Sequence, residues 1–498
     1  MRRSYLRRTS ALAVAGLLTA TIAYAEPSLA ADAPPAAPSA EPAAVPIATG
    51  DTRTVTRPEL PPICTTLRAQ LSTSNRTFSD SLEAAPPDTA RIQAALKSCA
   101  GTGGAVELAS DGGNRAFLSG PLTIGSSVVL LIRHGVTLYA SRNPANYQVA
   151  NKTSQCGTIT QAGDGCSPFI TIASKSAHGG IMGTGTGSGA NARGQMGVID
   201  GRGDLPMYGS TQTWWEIARQ AEADGGKQNN PRLIQANNAT DFTVYNIELA
   251  NAAQFHLRYT GDGLTVWGIR INAPANARNT DGVDPSGTNV TIRDSWIQSG
   301  DDGIAIKAGS SSATNMTIEN NHFYGTHGIS MGSETNGGIS NILVRNNTIS
   351  GTDSFGNEST FNNGIRIKSD PTRGGLVQRV TYENTCMTGV QYPLVFTPFY
   401  ATNKGTLIPQ FTDIVVNGAV AVDSPAKAES SFYGFDADRP LGLTLNNVYL
   451  DDTHSTAQDA NITVFNSNVV PSGPGVTVTD VDGSAQRPVC HFPDFPQH

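Results

Sequence analysis

The chain has 498 residues, of which 15% are charged and 52 are glycine, and its formal net charge at pH 7 is −7. Disordered chains usually carry more net charge and less apolar content than the 38% found here, so a folded chain with a large core is expected. The acidic balance argues against nucleic acid as a partner, and no apolar run reaches the roughly 20 residues that span a bilayer, so we expect no membrane span.

The first 25 residues are typical of a secretory signal peptide. Ala23-Tyr24-Ala25 fits the small-x-small cleavage pattern, and cleavage after Ala30 is the alternative. Removing this segment takes the formal charge from −7 to −11, because it carries four arginines and no acid: Arg2, Arg3, Arg7 and Arg8. A secreted, extracellular and acidic mature protein is therefore predicted.

Residues 31–62 are rich in proline and alanine and have no periodic apolar pattern, which predicts an extended, mobile linker or tail. Residues 63–498 are predicted to form one folded domain. Its first element is a helix capped by Asp88, because Ile92, Leu96 and Cys99 then share one face at helical spacing.

The chain contains six cysteines, which in a secreted protein favours disulfide bonds. Two of the expected pairs, Cys64–Cys99 and Cys156–Cys166, close short loops, and Cys386–Cys490 is the pair that remains. No pair has the spacing of zinc ligands. Neither a metal site nor a cofactor is predicted.

Beyond the helix, short strands separated by turn residues repeat along the chain. The triplets at 242–244, 264–266, 290–292, 316–318 and 342–344 are spaced by 22, 26, 26 and 26 residues. Such periods are typical of a solenoid in which each unit is one coil and the coils stack their strands in parallel. We therefore predict an all-β solenoid whose exposed first coil is covered by the helix. A β-sandwich with regular turns is the alternative.

Acidic residues cluster on successive coils of this predicted solenoid. Asp281 precedes Asp301 by 20 positions, which is close to one coil, so Asp281, Asp301 and Asp302 are expected to face the same cleft. Crowded carboxyls raise one another's pKa, which allows one to act as an acid and another as a base. Asp301 and Asp302 would point to opposite faces of an ideal strand, so the glycine-flanked backbone at 300–303 must turn or bulge. Solvated Asp-Gly turns are the alternative.

Two further coils add basic side chains to the cluster. His327 lies 26 residues after Asp301, within reach of Asp301 or Asp302. Strand alternation places Arg366 and Lys368 on one face, where either a substrate carboxylate or the nearby aspartates would neutralise them. Carboxyl pairs with local cations fit the hydrolysis of an acidic sugar polymer.

These residues resemble the polygalacturonases, a family of pectin-degrading glycoside hydrolases. The matching motifs appear in the family's order: Asn279-Thr280-Asp281, Gly300-Asp301-Asp302, His327-Gly328 and Arg366-Ile367-Lys368. The resemblance implies that residues 63–498 form a right-handed parallel β-helix, with the short helix as its N-terminal cap, that acts on pectate. A monomer is expected. The family usually has Gly-His-Gly, whereas Thr326 precedes His327 here.

The resemblance also implies catalytic roles in an inverting mechanism. Asp301 would protonate the glycosidic oxygen, Asp281 and Asp302 would activate water, and His327 would support the acid. For the substrate, Arg366 and Lys368 would bind a galacturonate carboxylate, Asn279 would help to shape the same subsite, and the substrate-contacting tyrosine would be Tyr400, with Tyr392 as its rival.

Sequence around His327 and Arg366 is closer to the endo-acting bacterial members of the family than to the exo-acting ones. The alternatives within the family are an exo-polygalacturonase and a rhamnogalacturonan or xylogalacturonan hydrolase. Outside it, the alternatives are a calcium-dependent pectate lyase and a non-catalytic solenoid that binds glycans. The acid-rich trio favours hydrolysis over elimination.

Overall fold

The computed structural model describes residues 47–185, 196–481 and 487–496, so the predicted signal peptide lies outside the described residues. The helices within these ranges are α1 (Asp80–Ala84), α2 (Thr89–Cys99), α3 (Trp214–Ala223) and a 3₁₀ helix at Pro144–Tyr147. The strands up to the first long one are β1 (Ile63–Arg68), β2 (Gly104–Ala109), β3 (Ala116–Ser119), β4 (Leu122–Ile124), β5 (Val128–Ile132), β6 (Thr137–Ala140), β7 (Ile159–Thr160), β8 (Ile170–Ile172), β9 (Gly180–Gly183), β10 (Gly197–Asp200) and β11 (Lys227–Gln228). The remaining strands are β12 (Ile234–Tyr245), β13 (Ile247–Ala250), β14 (Leu257–Trp267), β15 (Arg270–Asn272), β16 (Val283–Arg293), β17 (Trp296–Gln298), β18 (Ile304–Ile306), β19 (Ala313–Glu319), β20 (His322–Tyr324), β21 (Ile329–Met331), β22 (Ile339–Arg345), β23 (Thr348–Ser350), β24 (Asn363–Lys368), β25 (Leu376–Thr388), β26 (Tyr392–Thr397), β27 (Gln410–Val422), β28 (Ser430–Tyr433), β29 (Leu441–Leu450), β30 (Ser455–Gln458), β31 (Ala460–Phe465) and β32 (Val476–Val481).

The strands stack in parallel, one coil above the next, as the repeat spacing predicts. Thr243 pairs with Thr265, Thr265 with Thr291, Thr291 with Thr317, and Thr317 with Leu343. These are the middle residues of the five repeated triplets, so the predicted coil length and register are confirmed. The architecture is a parallel β-helix, and the β-sandwich alternative is wrong.

The core runs along the inside of the coils as ladders of equivalent apolar residues. In one ladder Val283, Ile304, Ile329, Ile365 and Leu394 are register partners, and each is fully buried. Burial of such a side chain stabilises the fold by about 1.5–3 kcal/mol relative to exposure. Because the inward positions are apolar, the outward side chains of the same strands are free to carry chemistry.

Helix α2 covers the first coils, as predicted. Ile92, Leu96 and Cys99 are buried on its inner face, and the helix packs against β2 and β4. The predicted cap differs in detail, because the Asp88 side chain makes no capping hydrogen bond to the helix. Its carboxylate instead accepts the Leu118 backbone N–H at 2.6 Å, which ties the start of the helix to β3.

The segment of the predicted linker that the structure describes is bound to the coils rather than mobile. Asp51 accepts the Thr291 hydroxyl at 2.8 Å, and its backbone N–H donates to Thr317 Oγ1 at 2.9 Å. Ala48 and Arg57 are held at the two ends of the segment by Thr381 and Tyr245, respectively. The prediction of mobility was wrong for this segment because its partners are outward-facing polar side chains far away in sequence, which composition does not reveal.

A helix that the sequence analysis did not predict, α3, follows the tenth strand. Thr213 caps it in a reciprocal capping box with Glu216. Trp214 and Trp215 are buried on its inner face, where Trp215 Nε1 donates to the Ala252 carbonyl at 2.9 Å. The two tryptophans therefore anchor the helix to the coils.

The three predicted disulfide pairs, Cys64–Cys99, Cys156–Cys166 and Cys386–Cys490, are present. The first ties β1 to the end of α2, and the last ties β25 to the C-terminal segment. Among the described residues, we find no helix that is both long and apolar enough to cross a membrane.

Candidate active site

The acidic side chains and His327 sit where three neighbouring strands begin, and Arg366 and Lys368 lie on the next strand, β24. Asp281 lies two residues before β16, Asp302 two residues before β18 and His327 two residues before β21. Since Val283, Ile304 and Ile329 are register partners, these three side chains occupy equivalent positions on successive coils. The stacking therefore brings together residues that the spacing predicted to be close.

The backbone at 300–303 leaves the strand pattern, as the sequence predicts if Asp301 and Asp302 are to face the same cleft. It lies between β17 and β18, and the Asp302 backbone N–H donates to Asp301 Oδ1 at 2.8 Å. The turn after His327 requires glycine. Gly328 has φ +77°, and a Cβ there would lie 2.1 Å from the Gly364 carbonyl oxygen, so only glycine fits.

Thr326, which stands where the family usually has glycine, supports this turn. It is fully buried, and its hydroxyl accepts the Gly328 N–H at 3.1 Å. His327 is thereby aimed at Asp301, with Nδ1 3.0 Å from Oδ1.

Asp301 is surrounded by donors. Besides His327, Asn279 Nδ2 donates to its Oδ2 at 3.0 Å, and Gln228 Nε2 in turn fixes Asn279 Oδ1 at 2.9 Å. Burial raises the pKa of Asp301, but the charge and hydrogen bond of His327 outweigh burial and hold that pKa below its usual range. Lys368 acts in the same direction. In the ligand-free site Asp301 is ionised.

Asp302 is the counter-ion of both predicted cations. Lys368 Nζ lies 2.9 Å from its Oδ2, Arg366 pairs with its Oδ1, and the Ser330 hydroxyl donates to Oδ1 at 2.8 Å. Burial raises the pKa of Asp302, but the Lys368 and Arg366 charges outweigh it and lower the pKa to about 2. Of the two alternatives left by the sequence, the ligand-free structure therefore shows the salt bridge to an aspartate.

Asp281 has the opposite electrostatic state. It is 4% exposed, and its Oδ1 has no hydrogen-bond partner. Burial, together with the charges of Asp301 and Asp284, raises the pKa of Asp281 well above its usual range. Burial and the acidic neighbours therefore favour the protonated form at Asp281, whereas Asp301 and Asp302 favour the ionised form.

His256 supports Asp281 from below and has the structural role expected by default for a lone histidine. It is fully buried, and its Nδ1 lies 3.0 Å from the Thr280 carbonyl oxygen and 3.2 Å from that of Asp281. Burial lowers the pKa of His256 to about 4, so its ring is neutral and Nδ1–H can donate to these carbonyls.

Sequence reasoning missed a second buried carboxyl, Asp284, and its cation Lys307. Burial raises the pKa of Asp284 to about 7, although Lys307, whose Nζ is 3.8 Å away, opposes this. The sequence shows Asp281 and Asp284 three residues apart around the start of β16, but burial of the Asp284 carboxyl depends on tertiary packing and cannot be read from that spacing.

Tyr400 rather than Tyr392 lies at the cation pair. Lys368 Nζ stands 4.8 Å from the centre of the Tyr400 ring, which is 49% exposed. Tyr392 is within β26, where it pairs with Asn363 at the start of β24. The half-exposed ring of Tyr400 therefore borders the buried Lys368 on the solvent side.

Oxygen and nitrogen atoms of Asp301, Asp302 and His327 lie within 4.8 Å of one another, close enough to share a metal ion. The Asp302 oxygens are, however, paired with Arg366 and Lys368. A metal ion would have to compete with these two buried cations. The donor set therefore fits proton transfer better than metal binding.

Comparison with known proteins assigns this arrangement to a family. Residues 170–470 match the family described as glycosyl hydrolases family 28. The chain belongs to this family. This family 28 hydrolase is 39% identical over 446 residues to a polygalacturonase of Ralstonia solanacearum, with 80% of each chain covered. It is also 39% identical over 418 residues to an endo-polygalacturonase of Pectobacterium carotovorum subsp. carotovorum, which covers 83% of this chain and 93% of that one.

A solved polygalacturonase from Erwinia carotovora ssp. carotovora has the same fold as the family 28 hydrolase. The TM-score is 0.71 at 37% sequence identity, covering 83% of this chain and 99% of that one. The predicted right-handed parallel β-helix is thereby confirmed, and the chain is a glycoside hydrolase.

Proposed function

We propose that this family 28 hydrolase is a secreted polygalacturonase that cleaves α-1,4 linkages between galacturonate units inside pectate chains, with inversion at the anomeric carbon. The names of its relatives support the substrate, and one of them is an endo-polygalacturonase. The three disulfides support passage through an oxidising compartment. A monomer is proposed, as the resemblance to this family leads us to expect.

The observation that carries the proposal is the pair of buried cations on Asp302. The Arg366 and Lys368 side chains are each 6% exposed, and their charge exceeds that of the single carboxylate they share. A second carboxylate at this point would complete the neutralisation, and an arginine can bind it in a bidentate manner. A uronate substrate supplies that carboxylate, and Tyr400 offers its sugar ring an exposed aromatic face.

Asp301 is proposed as the general acid that protonates the leaving oxygen. Its partner for proton exchange is His327, whose Nδ1 lies 3.0 Å from Oδ1. An incoming uronate adds negative charge beside Asp301 and so favours the neutral acid. His327 can then pass its proton to Asp301 across the existing hydrogen bond.

Asp302, with Asp281 beside it, is proposed to activate the attacking water. With a pKa of about 2, Asp302 is a weak base while both cations hold it. Substrate carboxylate that draws Arg366 and Lys368 away raises the basicity of Asp302, so binding itself prepares the base. Asp302 takes the proton of the attacking water, while Asp281, whose raised pKa favours its protonated form, stays neutral beside it.

Product sizing over time on demethylated pectate tests the proposal. Endo hydrolysis gives new reducing ends and mid-sized oligomers early, whereas exo action releases small products of constant size from the start. Products that absorb in the ultraviolet and disappear with a chelator would instead indicate a lyase. Preference for rhamnogalacturonan over pectate would move the assignment to that hydrolase.

A further inference from the structure

A cavity of about 230 Å³ opens beside the reacting residues and has no role in the mechanism above. Asp301 and His327 form one wall, and Arg219, Arg278 and Phe361 form the others. It is smaller than the roughly 300–1,000 Å³ of pockets that enclose a whole drug-sized ligand. Its size and its position therefore suit a single sugar unit of a longer chain.

Arg219 reaches this cavity because α3 buries its other face. Trp214, Trp215 and Ala218 point into the core, which leaves Arg219 on the exposed side. Within the described ranges Arg219 makes no hydrogen bond or close ion pair; the Glu216 carboxylate one turn earlier accepts the Thr213 backbone N–H and is affected by Arg219 only through its charge. Arg219 is a cation available to a ligand.

Arg278, on the opposite wall, is already neutralised. Its guanidinium lies 2.7 Å from Glu222, which also lines the cavity and is on the same face of α3 as Arg219. The Arg278–Glu222 pair fixes the helix to the loop that carries Asn279 and Asp281. One unpaired positive charge, that of Arg219, remains for an anion.

Phe361 provides the apolar surface of the cavity. Its side chain is 51% exposed, an unusual position for a phenylalanine, and it meets the His327 ring edge to face with centroids 5.5 Å apart and planes at 83°. One side of Phe361 is therefore used by His327, while the exposed remainder borders the cavity. Aromatic faces of this kind pack well against the C–H surface of a sugar ring.

We propose that this cavity is a sugar subsite in which Arg219 binds the carboxylate of one uronate unit and Phe361 packs against its ring. The unit adjoins the one held at Arg366 and Lys368, so the inference rests on the proposed function. If so, Arg219 and Phe361 help to determine how many uronate units of the polymer the enzyme binds.

The test measures kcat/KM for galacturonate oligomers of increasing length with Arg219→Gln, Phe361→Leu and Phe361→Tyr. The matched controls are Lys97→Gln, which removes an exposed helical cation on α2, and Phe355→Leu, which removes an exposed phenylalanine that lines a different cavity. Arg219→Gln should lower kcat/KM about tenfold for the longer oligomers, and this loss should shrink in high salt. Phe361→Leu should lower kcat/KM about threefold, independently of salt, whereas Phe361→Tyr, which keeps the aromatic face, should retain the wild-type value.

Oligomers too short to reach the cavity should be unaffected, as should the two controls. Wild-type values for Arg219→Gln and Phe361→Leu at every length would overturn the proposal. An equal loss at all lengths would also overturn it, because that indicates only a disturbed His327. Calorimetric binding of a long oligomer in an Asp301→Asn background separates this inference from the proposed function. Weaker binding with Arg219→Gln supports the subsite even if the wild type fails to hydrolyse pectate, and unchanged binding refutes it.

Discussion

Replacing Asp302 with asparagine is expected to destabilise the fold although the two side chains have nearly the same shape. The Asp302 carboxylate is 1% exposed and is the shared counter-ion of Arg366 and Lys368, which are themselves buried. A neutral amide leaves two buried cations without compensation. Removing one partner of a buried ion pair costs about 3–5 kcal/mol, so the free energy of unfolding should fall by about that amount at pH 7.

The loss should depend on pH with a defined sign. Because the pKa of Asp302 is lowered to about 2 in the folded protein, against about 3.9 in an unfolded chain, its contribution to stability is present above about pH 4. That contribution disappears as the pH falls towards 2. Urea unfolding with the disulfides intact, followed by tryptophan fluorescence at pH 7 and at pH 3, measures both values.

Asp281→Asn is the matched control for this experiment. Asp281 is equally enclosed, but burial and its acidic neighbours raise its pKa and favour the protonated form, which asparagine imitates. Its free energy of unfolding should stay unchanged or increase. Equal losses in the two variants, or no loss with Asp302→Asn, would refute the opposite electrostatic states assigned to these carboxyls.

Three further outcomes are expected. Asp301→Asn should abolish the release of reducing ends from pectate in a protein that still folds, and substantial residual turnover would contradict its assignment as the acid. Burial raises the pKa of Asp284 to about 7, so its contribution to stability is present below about pH 4 and is lost as the pH rises through 7. Asp284→Asn should remove this pH-dependent loss, which amounts to at most about 4 kcal/mol. Parallel curves of unfolding free energy against pH for the variant and the wild type would contradict this prediction. Tyr400→Ala should raise KM for pectate severalfold without changing stability, because the ring is half exposed above Lys368, and Tyr400→Phe should behave like the wild type; an unchanged KM in the alanine variant would remove Tyr400 from the substrate path.

The parts of the fold that could be predicted from the sequence are those set by short-range patterns. Stacking of Thr265, Thr291 and Thr317 follows from a constant repeat length, since each coil must place the same residue above its neighbour. The contact between Asp301 and His327 follows from the same register. In a solenoid of constant repeat length, residues separated by one repeat along the chain are neighbours on adjacent coils.

Features that escaped prediction depend on packing or on local signals that were not weighed. Thr213 and Glu216 form a capping pair that predicts the start of helix α3, and this pair was overlooked. Pairing of Lys368 with Asp302 stayed open because strand alternation gives the face of a side chain and not its partner. The raised pKa of Asp284 is set by burial, which spacing alone does not reveal.

The segment at residues 47–57 changes how this solenoid is expected to lose structure. In a solenoid whose coils contact only their neighbours, stability is a sum of local contributions, and the coils at an end can open one at a time. Here one strand-like tether is hydrogen-bonded to Thr381 in β25, to Thr317 in β19 and to Tyr245 in β12. Opening any coil along that path also loosens the tether for the others. We expect the coils from β12 to β25 to exchange their amide protons as a single cooperative unit.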